Sequence, residues 1–431
     1  MRDQLATVTG KGLGTGQRGF LTGTLWVAAG TTLLGLSGYG FLTLAAGLVS
    51  PVDYASLSSL YLLVALVGPG LFFPVEQETT RLVSRAWALG VGERQQSRQI
   101  ALLSAAMLGA ALLVLAALGP LLVHRVFHGN VGLWFALVGS VAGYGGVMVL
   151  RGVLAGTGRL RQYGYVVGVD GLTRLLPCLV FSVAGVTSAT PYGAALAAGS
   201  VASFAVAFAV TGWGPSGPLV SWPALVKDTA SLVAASAIAL SVANVAPVLV
   251  NAMLPGDPSL AGVFAFVFVL ARVPLFVLYG MQPVLLPVLS RSSARAELGG
   301  LRRDIRRALA VVGVLGAGAL VLTAPVCRWL TGALFHGRAE VSGLIITLLA
   351  VGTVLAMLVQ VVQPALIAVA SHRMVAGSWL IGIVFFAAAF ALPLNPVQAA
   401  TTAQIAAGAA TLTAMAVALR RRLRTHEGTS S

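Results

Sequence analysis

Arg272 is the residue whose placement most demands an explanation. It stands about 13 residues into an apolar run covering 260–290, which is about 20 Å along a helix at 1.5 Å per residue. If that run crosses a bilayer, the arginine lies near the midplane, at a cost of about 2.5–3.5 kcal/mol on insertion scales. It must then face a cavity or a partner. A planar guanidinium can grip a pyrophosphate with two parallel bonds; it can equally pair with Asp170 or close a helix C-terminus. Asp170 and Arg174 stand one turn apart in the run 164–184. They either neutralise each other within one helix, or Asp170 binds a proton or Na⁺ while Arg174 joins a substrate site. Glu76, Glu78, Arg81 and Arg85 close the run 55–85. They read as a solvated helix end or as an inner gate that breaks and reforms. Gly68, Pro69, Gly70 and Pro74 precede them, and Pro274 follows Arg272. Proline removes a backbone bond and kinks a helix, so these are hinge candidates. Asn244 and Asn251, seven residues apart, and the pair Gln360 and Gln363 are intramembrane amides, which either glue helices together or line a cavity.

Other chemistry is sparse. The chain has no HExxH, CxxC, GxSxG or P-loop pattern, and the longest outer connection runs only from about 324 to 341, so it does not read as an enzyme. Gly14-Thr-Gly16-Gln-Arg-Gly19 matches a dinucleotide fingerprint in letters alone; no strand precedes it, and a flexible tail is expected. His124 and His128 read as interfacial turns rather than metal ligands. No resident cofactor is expected beyond a coupling Na⁺ or proton. Cys178 and Cys327 fall at different depths, which argues against a disulfide.

The elements that must position these residues follow from composition. The 431 residues are 58% hydrophobic and 9% charged, with mean hydropathy +0.92. A soluble domain is about 45–50% apolar and about 25% charged. That excess excludes a soluble enzyme, a disulfide scaffold and a disordered chain. Twelve membrane helices are expected at 20–48, 55–85, 98–119, 132–155, 164–184, 191–211, 227–252, 260–290, 304–323, 342–370, 375–392 and 398–419. The fold expected is therefore all-α and integral to the membrane. With the N-terminus inside, 22 arginines and lysines fall in inner segments and three in outer ones. This asymmetry points to a multi-pass protein of the cytoplasmic membrane with both termini cytoplasmic. It also explains the formal net charge of +15 through contact with anionic inner-leaflet lipids rather than nucleic acid.

The two halves repeat. Pro51-Val-Asp53 recurs as Pro255-Gly-Asp257, Pro69 as Pro274, Leu82-Val-Ser-Arg85 as Val288-Leu-Ser-Arg291, and Val126-Phe-His-Gly129 as Leu334-Phe-His-Gly337. Six helices per half make the repeat parallel, so two bundles face each other across a central cavity. The expected organisation is a cytoplasmic tail at 1–19, a first bundle at 20–211, a linker at 212–226, a second bundle at 227–419 and a basic tail at 420–431.

This pattern, with the stretch from Gly40 to Leu60, Phe73-Pro-Val-Glu-Gln-Glu-Thr-Thr-Arg81 and Arg272-Val-Pro-Leu275, resembles the polysaccharide-transporter, O-antigen-flippase-like branch of the multidrug/oligosaccharidyl-lipid/polysaccharide exporter superfamily. The resemblance implies flipping of an anionic polyprenyl-linked glycan by alternating access, alongside glycosyltransferases or polymerases of the same pathway. Arg272, Arg174, Asn244 and Asn251, singled out above by depth and chemistry, are the residues expected at the substrate. The lipid II flippases of the superfamily carry basic residues in their first helices, whereas no Lys or Arg occurs here between Arg18 and Arg81; this favours another glycan. The rival expectations are a cation-coupled multidrug exporter of the same architecture, a membrane polysaccharide polymerase or ligase, and a non-transporting scaffold.

Overall fold

Ser50, Asn130, Asp257, Ser342 and Asn395 each stand just before an apolar run, and each caps a helix. Their side-chain oxygens accept from the amides of Asp53, Leu133, Leu260, Ile345 and Gln398 at 2.9–3.4 Å. Each so satisfies one of the donors that a helix start leaves open. The computed structural model describes residues 13–212, 214–275, 298–335, 339–368 and 372–428. It contains α1 (Leu13–Ala46), α2 (Pro51–Ala88), α3 (Arg94–Arg125), α4 (Val131–Gly156), α5 (Leu160–Val183), α6 (Ala189–Val210), α7 (Trp222–Met253), α8 (Pro258–Leu270), α9 (Leu298–Phe335), α10 (Gly343–Ala368), α11 (His372–Phe390) and α12 (Pro396–Gly428). No strand occurs among the described residues. Eleven helices are long and apolar enough to cross a membrane, and Met374–Phe390 is a shorter apolar helix. The chain is a multi-pass membrane protein.

Most helices outrun the apolar segments that announce them. Hydropathy marks the hydrocarbon, about 30 Å thick, while helical hydrogen bonding continues through the headgroup layer wherever no breaker intervenes. So α1 begins at Leu13 and takes in Gly14 to Gly19, a correction to the flexible tail expected there. Likewise α12 runs on to Gly428 through arginines that favour helix. The opposite happens at α8. It stops at Leu270, and Ala271 and Arg272 form a turn before a short helical stretch at 273–275. The rest of the 260–290 run lies outside the described residues, as do Val288 to Arg291 and His336-Gly337.

The repeat is visible in packing. In the first half α1 packs on α5, α3 on α4, α4 on α6 and α5 on α6; six helices later α7 packs on α11, α9 on α10, α10 on α12 and α11 on α12. The structure shifts one repeat match. Ser50 and Asp257 are the corresponding caps, each followed by a proline at the first helical position, so Pro51 corresponds to Pro258 and not to Pro255.

We call the end carrying these caps the capped face and the opposite end the basic face. Between the halves, α2 packs against both α7 and α8. At the capped face the seam is tight. Phe335 sits edge-on to Tyr54 at 5.0 Å and to Phe266 at 5.5 Å. The void beside them, lined by Ala46, Val49, Pro51 and Ser259, holds about 10 Å³, roughly one water. At the basic face the chain between α6 and α7 is strapped onto α3. The Gly214 amide donates to Glu93 Oε1 at 2.8 Å, and Gln99 exchanges two bonds with the Val220 backbone at 2.9 and 3.0 Å. The Gly217 amide donates to Gln95.

Candidate functional site

Tyr144 and Arg151 are seven residues apart on α4, and Tyr163 and Asp170 are seven apart on α5. Seven residues are two turns, so each pair shares one helix face. The two faces meet and build two buried triads of the same composition. In the first, Arg174 donates to Asp170 Oδ1 at 2.8 Å, and the Tyr144 hydroxyl lies 3.2 Å from both Asp170 Oδ2 and the Arg174 guanidinium. In the second, Arg151 Nε lies 3.2 Å from Glu76 Oε2, Arg151 donates to the Tyr163 hydroxyl at 2.8 Å, and that hydroxyl donates to Glu76 Oε1 at 2.6 Å. Each tyrosine thus accepts from an arginine and donates to a carboxylate. Glycines admit this density. A Cβ at Gly199 of α6 would lie 2.6 Å from Asp170 Oδ1, and one at Gly68 would lie 2.5 Å from the Tyr144 ring. Among the hinge candidates, Gly68 therefore carries a contact to the first triad. α2 runs through Pro69 and Pro74 as one helix.

At the basic-face end of α2, Glu78 is buried and Arg81 exposed. Arg81 Nε donates to Glu78 Oε2 at 2.8 Å and reaches across the seam to Asp228 of α7 at 3.3 Å. Arg85, one turn on, is exposed. Glu76 leaves this group altogether. It was expected with the solvated helix end, but it is 5% exposed and belongs to the second triad.

In the second half, Arg272 lies at the turn that ends α8, half-buried. Its guanidinium stands 4.0 Å from the Phe268 ring centroid, within the range of a cation–π contact. The Gln404 amide of α12, in its hydrogen-bonding orientation, accepts from Arg272 at 3.2 Å and donates to the Val242 carbonyl at 2.9 Å. One turn before Arg272, the Tyr39 hydroxyl of α1 donates to the Val269 carbonyl at 3.5 Å, so the end of α8 borders the first half. Pro274 sits in the short helical stretch just beyond. Asn244 donates to the Leu240 carbonyl on its own helix at 3.1 Å. Asn251 faces three acceptors of the first half: Ser59 Oγ at 2.8 Å, the Val126 carbonyl at 3.0 Å and the Ala55 carbonyl at 3.3 Å. Gln363 accepts from Trp379 Nε1 at 3.0 Å.

Tyr144, Tyr163, Arg151, Phe268 and Gln404 are the residues that sequence reading missed here, and Glu76 was read as part of the α2 end group. The seven-residue spacing on two successive helices was a usable signal; the bonds between helices were not. Chemically, the site offers two neutralised acid–base triads in one half and a cation cradled by a ring and an amide in the other.

Among the described residues, twelve helices form two halves that meet along a seam, with polar clusters inside each half. Solved structures carry the same architecture. The chain is similar to a multidrug resistance MATE family transporter of the MOP superfamily in its inward-facing conformation, with TM-score 0.74, 12% identity, and coverage of 92% of this chain and 96% of that one. An outward-facing multidrug resistance MATE family transporter gives TM-score 0.65 at 11% identity, covering 95% and 96%. A MATE transporter of Vibrio cholerae gives 0.59 at 16% identity, covering 93% and 98%. No family model matches the sequence, and no curated protein matches it in sequence. The fold is that of the MATE transporters.

Proposed function

We propose that the protein flips an anionic polyprenyl-linked glycan precursor across the cytoplasmic membrane by alternating access, with its basic face and both termini in the cytoplasm. The buried guanidiniums carry this reading. Arg174 and Arg151 stand 2.8 Å and 3.2 Å from Asp170 and Glu76 inside the first half, and the Arg272 guanidinium lies beside the seam against Phe268 and Gln404. A ligand drawn into such a site carries negative charge, as a pyrophosphate-linked lipid does, and a guanidinium fork suits it. The excess of arginine at the basic face supports the orientation. Asp170 is the candidate for coupling to Na⁺ or protons, and Asn244 and Asn251 stand on the seam helix α7.

The test is transport of a polyprenyl-diphosphate glycan in proteoliposomes by the wild type, Arg272→Ala and Arg272→Lys. Both variants are expected to keep expression and lose transport. Full activity in Arg272→Lys would reduce the role to a point charge; full activity in Arg272→Ala would remove Arg272 from the mechanism.

The second reading is a multidrug exporter. It is favoured by the similarity to multidrug resistance transporters, at TM-score 0.74 for one of them, and it predicts transport of lipophilic cations instead.

A further inference from the structure

The second half ends at the basic face in an arrangement that the first half lacks. α12 has 33 residues where its counterpart α6 has 22, about 16 Å more at 1.5 Å per residue. α9 has 38 residues, about 57 Å, against a hydrocarbon layer of about 30 Å. Both extensions are packed. Ile305 of α9 and Leu419 and Leu423 of α12 share one buried cluster with Val359, Val362 and Leu366 of α10. The two ends therefore close on the same segment of α10, and they carry Arg303, Arg306, Arg307, Arg420, Arg421 and Arg422 outward, all exposed.

Three features point to an external anion. The segment 302–307 holds four arginines against one acid, Asp304, and 420–424 holds four arginines and no acid. Arg303, Arg306 and Arg307 fall on successive turns near the start of α9 and all are exposed, while Arg328 lies toward its other end. The matching place in the first half is different: α3 brings only Arg94 and Arg98, α6 ends without charge, and the strap at 214–220 covers the start of α3 through Glu93, Gln95 and Gln99.

We propose that the paired basic ends of α9 and α12 form a binding surface for anionic phospholipid headgroups of the adjacent leaflet, on the second half only. The helix lengths set the arginines beyond the hydrocarbon, at the level of lipid phosphates. Arg is suited to a diester phosphate because its fork donates two bonds at once. The surface is spread over six guanidiniums rather than folded into a pocket, which fits several lipid headgroups better than one soluble anion.

The experiment uses the full chain purified in neutral detergent with an equimolar mixture of phosphatidylglycerol and phosphatidylcholine, and native mass spectrometry reads the lipids retained. The wild type is expected to enrich phosphatidylglycerol at least about tenfold, since each arginine near a charged surface contributes roughly fivefold. Replacing all six by glutamine should bring the ratio to within about twofold of the input. Arg94→Gln with Arg98→Gln should leave the enrichment unchanged. Thermal unfolding in detergent checks folding. If the sixfold variant does not fold, the two triple variants, Arg303/306/307→Gln and Arg420/421/422→Gln, are read separately, and each should lose part of the enrichment. Retained enrichment in the sixfold variant, or in both triple variants, overturns the proposal. So does an equal loss from the Arg94 and Arg98 changes. Displacement of phosphatidylglycerol by inorganic phosphate at constant ionic strength would mark a soluble-phosphate site instead and also overturns it.

Discussion

Arg81 of α2 reaches 3.3 Å to Asp228 of α7, an ion pair that spans the two halves at the basic face. Both side chains are 52% exposed, so water and salt screen the pair, which is worth at most about 1 kcal/mol. It can bias a gate but not lock one. Arg81→Gln and Asp228→Asn should each raise labelling of a cysteine introduced at Ser84 by up to about fivefold, with no additivity in the double variant. Moderate salt should erase the difference. Additive effects in the double variant would separate the two residues.

The Asp170–Arg174 pair is a different case, because it is buried. Removing one partner of a buried pair leaves an uncompensated charge, at about 3–5 kcal/mol. Asp170→Asn and Arg174→Gln should each lower the melting temperature and impair transport. The double variant should recover stability, since no charge is left unmatched. If it also recovers transport, the pair is structural. If Asp170→Asn alone abolishes dependence on an imposed Na⁺ or proton gradient, the coupling role stands.

The second triad makes a prediction that sequence reading could not. Tyr163→Phe removes a hydroxyl that serves Glu76 at 2.6 Å and Arg151 at 2.8 Å. Leaving buried polar groups unserved costs about 1–3 kcal/mol. A lower melting temperature is expected with the fold intact. Tyr165→Phe, at an exposed position two residues on, should do nothing.

These cases show where the sequence is informative. Asp170 and Arg174 were visible as a pair because helix geometry alone brings i and i+4 together. Tyr144 was not, because its bonds run from α4 to α5, and no sequence separation encodes that contact. Arg151 was counted with the inner basic residues, since the positive-inside rule reads position along the chain and not which way a helix face points. Its burial against Glu76 depends on how α2, α4 and α5 pack. The helices themselves were legible from hydropathy except at their ends. The break at Ala271–Arg272 was not, because Arg272 was placed by its depth in an uninterrupted run, and only Pro274 hinted at an interruption.

His128 gives the capped face a pH dependence. It sits between α3 and α4 with a positive φ of 48°, its Nδ1 is 3.0 Å from Ser56 Oγ, and its Nε2 is buried without a hydrogen-bond partner. Burial lowers its pKa below the ordinary 6.5, opposed by Asp53 and by the Val126 carbonyl. The unfolded chain therefore binds the proton more readily. Stability is full above about 6.5 and falls as pH drops below it, until the folded pKa is passed. Melting temperature measured across this range should fall more steeply in the wild type than in His128→Asn, where the amide tolerates a positive φ. Parallel slopes would clear His128 of the effect.

The most direct measurement places two ligand classes in one preparation. Proteoliposomes holding the wild-type chain are loaded with a fluorescent polyprenyl-diphosphate glycan in the inner leaflet and, separately, with a lipophilic fluorescent cation in the lumen. Arrival of each at the outside is followed with and without Na⁺ and proton gradients. The glycan head is expected to appear outside at a rate that protein-free vesicles do not show, with the cation retained. Export of the cation with the glycan head held inside would contradict the flippase reading and would leave the multidrug reading in its place.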